Sequence, residues 1–124
     1  DLNNDPADGD GHHEAILELL EHPRVLRYPT PASTGAEQTG RAYVEKGVTR
    51  HGAPHHATGN FGPRHGTLRL DYVLPSAGFS HLGSGVFWPA SDSAEAKIAD
   101  GSDHHLVWVD VTAVSKNDMS LDGD

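Results

Sequence analysis

The chain has 124 residues, and its nine basic and eighteen acidic side chains give a formal net charge of −9 at pH 7. This charge disfavours tight, sequence-independent binding of nucleic acid, which depends on Lys and Arg side chains that neutralise phosphates. The lack of cysteine excludes disulfides and thiolate metal sites, and no apolar run is long enough to span a membrane. The length suits one small domain.

The first part of the chain is predicted to contain one helix between two loops. Residues 1–11 are rich in Asp, Asn, Pro and Gly, which favour turns. A helix is expected after Asp10, which can act as its N-cap, and before Pro23, which ends it. Its apolar positions, expected to face the core, are Ile16, Leu17, Leu19 and Leu20. Residues 29–66 lack periodicity and are rich in Gly, Pro and His, so a long loop is predicted there.

Three strands are predicted in the second part of the chain. Residues 67–74 alternate between apolar and other side chains, as a strand with one buried face does. Residues 79–88 are apolar but interrupted by glycines, which indicates a strand with a bulge or bend. Residues 106–111 are rich in β-branched and aromatic side chains. The polar segment 115–124 is expected to be a frayed tail.

Polar side chains with catalytic potential occur in the first predicted strand and directly before the last one. Asp71 lies among the apolar residues of the first predicted strand, and burial of a carboxylate is costly unless it is paired. His104 and Arg69 are its two candidate partners. His104 and Asp103 directly precede the last predicted strand, where side chains are exposed on a rigid support. The alternative is structural: Asp103 makes a turn, and Asp71 pairs with Arg69.

Three short motifs in a fixed order resemble those of a known superfamily. Asp1-Leu2-Asn3, the segment L-D-Y-V-L at 70–74 and the segment S-D-H at 102–104 are similar to motifs of the endonuclease/exonuclease/phosphatase superfamily of metal-dependent phosphoesterases. That superfamily includes DNase I-like nucleases, abasic-site endonucleases, sphingomyelinases and inositol phosphatases. The sequence especially resembles those of secreted bacterial members, so the resemblance implies a secreted or periplasmic location.

The resemblance also implies a fold class. Members are α/β (α+β) proteins with a four-layer αββα sandwich, built from mainly antiparallel strands with helices outside, and they are about twice as long as this chain. Asp1 stands where the second half of the family pattern begins, so residues 1–124 are expected to form the C-terminal half. The family's early metal-binding Glu has no counterpart here. An apolar sheet face is then expected to need cover from the missing N-terminal half or from a homo-dimer partner.

The roles implied by the resemblance are carried by five residues. Asp1 would orient or deprotonate the attacking water, and Asn3 would hold that water or a phosphate oxygen. His104 would donate to a phosphate oxygen in the transition state, with its tautomer set by Asp71. Asp103 would lie at the metal site, where oxygen ligands suit Mg²⁺, Mn²⁺ or Ca²⁺.

The predicted function is therefore metal-dependent hydrolysis of a phosphoester substrate, by this chain or by a longer enzyme of which it carries the motifs. A nucleic-acid substrate is possible but is not favoured by the charge. Two alternatives remain open at this point. One is a non-enzymatic metal- or ligand-binding module that uses the Asp-rich loop at 1–11 or the imidazoles of His51, His55 and His56. The other is an inactive, truncated fragment.

Overall fold

Short helices and two small antiparallel sheets make up the fold in this computed structural model, which describes residues 1–114. The predicted tail at 115–124 lies outside the described residues. The helices are α1 (His13–Leu20), α2 (Thr34–Glu45), α3 (Gly62–His65) and α4 (Ala96–Ala99), with a 3₁₀ turn at Pro54–His56; the strands are β1 (Gly59–Asn60), β2 (Thr67–Leu68), β3 (Phe79–Phe87) and β4 (Leu106–Ala113). The protein is thus a mixed α/β structure. No helix of the described part is long and apolar enough to cross a membrane.

Helix α1 confirms the predicted helix but differs from the prediction in its cap and its buried face. It begins one residue after His12, whose side chain makes no cap hydrogen bond, so Asp10 is not the N-cap. Ile16 is buried, whereas Leu17 and Leu19 remain more than a third exposed. Leu20 is half-buried, so the helix contacts the core mainly through Ile16 rather than through a complete apolar stripe.

Helix α2 lies in the segment that was expected to be part of a long loop. Its N-cap is Ser33, whose hydroxyl accepts the backbone N–H of Ala36. Gly35 and Gly40 lower the intrinsic helix propensity of this segment, so the sequence pattern did not predict a helix here. They are needed for close packing, because a Cβ on Gly35 would lie 2.3 Å from the Trp88 ring and one on Gly40 would lie 2.7 Å from Pro54 Cβ.

The hairpin of β3 and β4 confirms two of the predicted strands and contributes Val86 and Val107 to the core. Val86 pairs with Val107 on the inner face, which packs against Ala36, Ala57 and Trp88. The register is irregular between His81 and Gly83, where the glycine-interrupted sequence indicated a bulge. The opposite face is apolar and exposed, and it carries Phe87, Leu106 and Trp108.

The strand predicted at 67–74 is regular only at Thr67–Leu68, where β2 pairs with β1. After Leu68, side-chain oxygens rather than the carbonyls of a neighbouring strand accept the hydrogen bonds of the backbone N–H groups. Asp5 accepts the N–H of Arg69, and the Thr58 hydroxyl accepts those of Leu70 and Asp71. These contacts satisfy the buried backbone, so the segment is held in place without a ladder.

Candidate active site

Asp71 and His104 form a direct hydrogen bond. His104 Nδ1 lies 3.0 Å from Asp71 Oδ1 and 2.9 Å from Oδ2. The Asp71 side chain is 16% exposed and that of His104 is 36% exposed, so the pair lies at the surface with the carboxylate on its inner side. Arg69, the other candidate partner of Asp71, instead places its guanidinium over the ring of Tyr72.

Backbone pairing brings these two distant residues together. Gly59 of β1 pairs with Leu68 of β2 on one side and forms an isolated antiparallel bridge with His104 on the other. Asn60 N–H donates to the Asp103 carbonyl over 2.9 Å. A Cβ on Gly59 would lie 3.1 Å from that same carbonyl oxygen and 2.5 Å from the ring of Phe61, so this crossing needs a glycine.

Thr58 lies behind the pair and belongs to the site, although no sequence motif marks it. Its hydroxyl donates to Asp71 Oδ2 over 2.7 Å. The residue is almost fully buried, and its carbonyl accepts the backbone N–H of His105 at 2.8 Å. Thr58 thereby ties the Asp71 carboxylate to the segment that carries His104. A threonine in a Gly- and His-rich segment gave no signal by which this role could have been found.

Asp1 lies on the open side of His104. Its Oδ2 is 3.8 Å from His104 Nε2, and its Oδ1 accepts the backbone N–H of Asn3 at 2.7 Å. The N–H of Leu2 donates to the Leu70 carbonyl at 2.9 Å, which fastens this segment beside Asp71. Asn3 is exposed, and its backbone has a positive φ of 48°, a conformation that Asn tolerates better than most residues.

Among the described residues, Asp1, Asp71 and His104 form a group that could hold a metal ion, with one ligand atom from each lying within 4.8 Å of the others. Asp103 is outside this group, and its side chain is exposed. The carboxylates fit a hard cation, because each carboxylate oxygen can accept more than one partner. Asp71 Oδ1 lies 3.0 Å from His104 Nδ1, and Asp1 Oδ2 lies 3.8 Å from His104 Nε2.

The histidines at 51–56 do not form such a group in the described part of the chain. His55 Nδ1 lies 3.3 Å from Glu37 Oε2, and the rings of His55 and His56 are tilted against each other with centroids 4.1 Å apart. Burial lowers the pKa of His56, and the neighbouring His55 adds to this shift. A three-imidazole metal site is therefore not present in this arrangement.

The Asp-rich loop is likewise occupied by the protein's own groups. Asp5 and Asp8 are buried, and Arg50 Nη1 lies 3.3 Å and 3.2 Å from their Oδ2 atoms. Asp8 also accepts the backbone N–H groups of His51 and Gly52. These carboxylates stabilise the join between the N-terminal loop and the segment before the 3₁₀ turn, and an internal guanidinium takes the place that a cation would hold.

Two aromatic residues shape the surroundings of His104. Phe61 meets its ring edge-on, with centroids 5.5 Å apart and an interplanar angle of 78°. The next residue, His105, points the opposite way and stacks on Trp88 with centroids 3.9 Å apart. Burial lowers the pKa of His105. The adjacent histidines therefore do different things: one reaches the candidate site and the other anchors the start of β4 in the core.

Comparison with known proteins places the chain in a family. A model of the endonuclease/exonuclease/phosphatase family matches residues 1–104, and the chain belongs to that family, whose members are metal-dependent phosphoesterases. The matched range includes Asp1, Asp71 and His104 and ends just before β4. A search of curated proteins and a search of solved structures each found no match.

Proposed function

We propose that this chain carries the active site of a metal-dependent phosphoester hydrolase and that Asp71 and His104 are its central pair. The observation that carries the proposal is the bond from His104 Nδ1 to the Asp71 carboxylate, which leaves Nε2 directed to the side where Asp1 lies. A carboxylate–imidazole pair with one free ring nitrogen at a surface is suited to hold and protonate a substrate oxygen.

In this proposal, His104 binds and stabilises the phosphoryl group. Donation from Nδ1–H to Asp71 sets the tautomer, so that protonation occurs at Nε2 and this atom can donate to a phosphate oxygen. Thr58 holds the carboxylate through its hydroxyl, so it is a positioning residue.

Asp1 has the position of a base for the attacking water in this proposal. Its Oδ2 faces His104, and a water beside both would lie next to a bound phosphoryl group. A Mg²⁺, Mn²⁺ or Ca²⁺ ion held by Asp1 and Asp71 would neutralise phosphate charge and stabilise the leaving oxygen. The proposed role of Asn3 is to hold the water or a phosphate oxygen.

The placement of the metal ligands is part of the proposal and has a direct test. The resemblance assigns the ion to Asp103, whereas Asp1 and Asp71 are the carboxylates that lie close together. Mn²⁺ affinity measured by electron paramagnetic resonance should fall in Asp1→Asn and in Asp71→Asn. If Asp103→Asn alone lowers the affinity, the ion belongs at Asp103, which lies outside the group described above.

We also propose a wider architecture, on the basis of the family resemblance. The chain is the C-terminal portion of a four-layer αββα sandwich, and the exposed apolar face of the hairpin, with Phe87, Leu106 and Trp108, faces the rest of that fold or a second copy. A secreted or periplasmic location is proposed from the family resemblance alone.

The test is hydrolysis of bis-p-nitrophenyl phosphate and of p-nitrophenyl phosphate by the purified chain with Mg²⁺, Mn²⁺, Ca²⁺ or EDTA. We expect metal-dependent turnover that His104→Ala lowers by about 100-fold or more, in line with the loss of an acid–base group. His51→Ala, a change at an exposed histidine, is the matched control and should leave the rate unchanged. The ratio of diester to monoester turnover separates nuclease-like from phosphatase-like chemistry.

Two outcomes would overturn the proposal. One is turnover that is the same in His104→Ala as in the native chain. The other is a folded native chain that neither hydrolyses these esters nor changes the ring-nitrogen resonances of His104 when Mn²⁺ or phosphate is added. In the second case the inactive-fragment alternative would be correct.

A further inference from the structure

The guanidinium of Arg69 is half-buried and lacks a carboxylate partner in the described part of the chain. Within residues 1–114, no ion pair of 4.0 Å or less joins it to an acid, and its hydrogen bond to Asp5 is made by the backbone N–H. Tyr72 covers one face of the guanidinium, with the central carbon 4.6 Å from the ring centroid. Burial lowers the pKa of Arg69. Arg50 offers a contrast, because two buried carboxylates neutralise it.

This unpaired cation lines a depression of about 230 Å³ beside the end of α1. Arg27 lines the same depression, together with Tyr28 and Thr30, and one Arg27 N–H bonds the Glu21 carbonyl while the others stay available. The space is smaller than the roughly 300–1,000 Å³ of sites that enclose whole drug-sized ligands. It therefore suits a small charged group rather than a complete organic molecule.

The walls of the depression are fixed by backbone contacts. Leu26 N–H donates to the Pro75 carbonyl at 2.8 Å, and Val25 forms a bridge with Ser76. The hydroxyl of Tyr28 donates to the Val73 carbonyl. The segments that carry Arg27 and Arg69 are thus held together before any ligand arrives, which lowers the entropy lost on binding.

We propose that this depression is a phosphate-binding site in which Arg69 and Arg27 hold one phosphate group. Two guanidinium groups in a chain of net charge −9 present a local positive field, and guanidinium is the side chain best matched to the oxygens of a phosphate. Thr30 is a further polar residue of the same lining. The one carboxylate there, Glu21, is exposed and opposes an anion only weakly.

The test is a titration of the ¹⁵N-labelled full chain with inorganic phosphate in the presence of EDTA, followed through the arginine Nε–H resonances. We expect saturable shifts at Arg69 and Arg27 and none at Arg41, an exposed arginine that pairs with Glu37. Arg69→Gln should raise the phosphate Kd by about tenfold or more, as the loss of a charge-assisted hydrogen bond does. Glu21→Gln should lower it.

Control variants keep the test decisive. Arg27→Gln changes an exposed side chain, so it should fold normally and still raise the Kd severalfold, even if Arg69→Gln is poorly folded. Arg41→Gln should leave the Kd unchanged. Phosphate bound only through the candidate active site would give shifts that His104→Ala abolishes. Shifts abolished in that way, or a Kd that is unaltered in Arg27→Gln, would overturn the proposal.

A second arm distinguishes two sources of the phosphate. The depression could bind a second phosphate of the substrate. In that case, thymidine 5′-(p-nitrophenyl phosphate) with a 3′-phosphate should have a lower KM than the same ester without the 3′-phosphate. Arg27→Gln should then abolish that difference. Equal KM values with phosphate binding retained would assign the site to a free phosphate or phosphomonoester. The titration does not depend on turnover, so its failure is distinguishable from a failure of the proposed function.

Discussion

The hydroxyl of Thr58 donates to Asp71 Oδ2 over 2.7 Å while it accepts the backbone N–H groups of Leu70 and Asp71 at 2.9 and 3.1 Å. A hydroxyl has one proton and two acceptor positions, so these three contacts use its full capacity. The direction of the bond to Asp71 is therefore determined without any assumption about hydrogen positions. Asp71 thus receives the Thr58 hydroxyl at Oδ2 and the His104 ring at both oxygens.

Replacement of Thr58 tests this relationship. Thr58→Ala should lower the free energy of unfolding by about 1–3 kcal/mol, because it leaves buried backbone donors and the Asp71 carboxylate without a partner. Thr58→Ser keeps the hydroxyl and should recover most of the loss. Urea unfolding followed by circular dichroism measures both. Equal losses in the Ala and Ser variants would show that packing of the Thr methyl group matters, rather than the hydroxyl.

The tautomer of His104 is expected to depend on Asp71. In the native chain the neutral ring should carry its proton on Nδ1, since this atom faces a carboxylate that can only accept. Asp71→Asn presents an amide that can also donate, so the population of the Nδ1–H tautomer should fall. Two-bond ¹H–¹⁵N correlation spectra of the ring distinguish the two forms. A native ring found mainly as the Nε2–H tautomer would contradict the hydrogen bond described here.

The buried cluster of Asp5, Asp8 and Arg50 should be sensitive to removal of its cation. Arg50→Met leaves two carboxylates buried without their counter-ion, and we expect a loss of about 3–5 kcal/mol in the free energy of unfolding. Arg41→Met removes an exposed pair with Glu37 and should leave the free energy of unfolding nearly unchanged. Comparable losses in the two variants would show that the cluster is not stabilised as its burial indicates.

The stability of the fold should fall in mild acid because of His105. Burial holds its pKa in the folded chain below the ordinary value of 6.5, so below that value the unfolded chain binds more protons than the folded one. The contribution of His105 to the free energy of unfolding is complete above about pH 6.5 and is lost as the pH falls towards the folded-state pKa. For one group, this free energy changes by at most about 1.4 kcal/mol per pH unit.

Urea unfolding in EDTA at a series of pH values measures this effect. His105→Phe retains an aromatic ring against Trp88 but removes the titration, so its stability should depend less on pH in this window. His12→Gln is the control at an exposed histidine. A His105→Phe variant with the same pH dependence as the native chain would assign the effect to other groups, with His56 the first candidate since burial also lowers its pKa.

The elements that the sequence predicted well are those whose signals are local. The helix around Ile16 and the strands of the hairpin follow from periodicity and β-branched residues, and each is present. Helix α2 was not predicted because its two glycines oppose helix formation locally. Packing against Trp88 and Pro54 overrides that preference, and the contacts that do so join residues far apart in the chain.

The sequence by itself determined which side chains could do chemistry, because the order of the D-L-N, L-D-Y and S-D-H motifs is a property of the chain. It left open whether Asp71 pairs with Arg69 or with His104. Only the tertiary structure decided this: the bridge between Gly59 and His104 brings the imidazole to Asp71, and stacking on Tyr72 holds Arg69 elsewhere. The contribution of Thr58 was also hidden, since a hydroxyl becomes a positioning group only when folding surrounds it with its three partners.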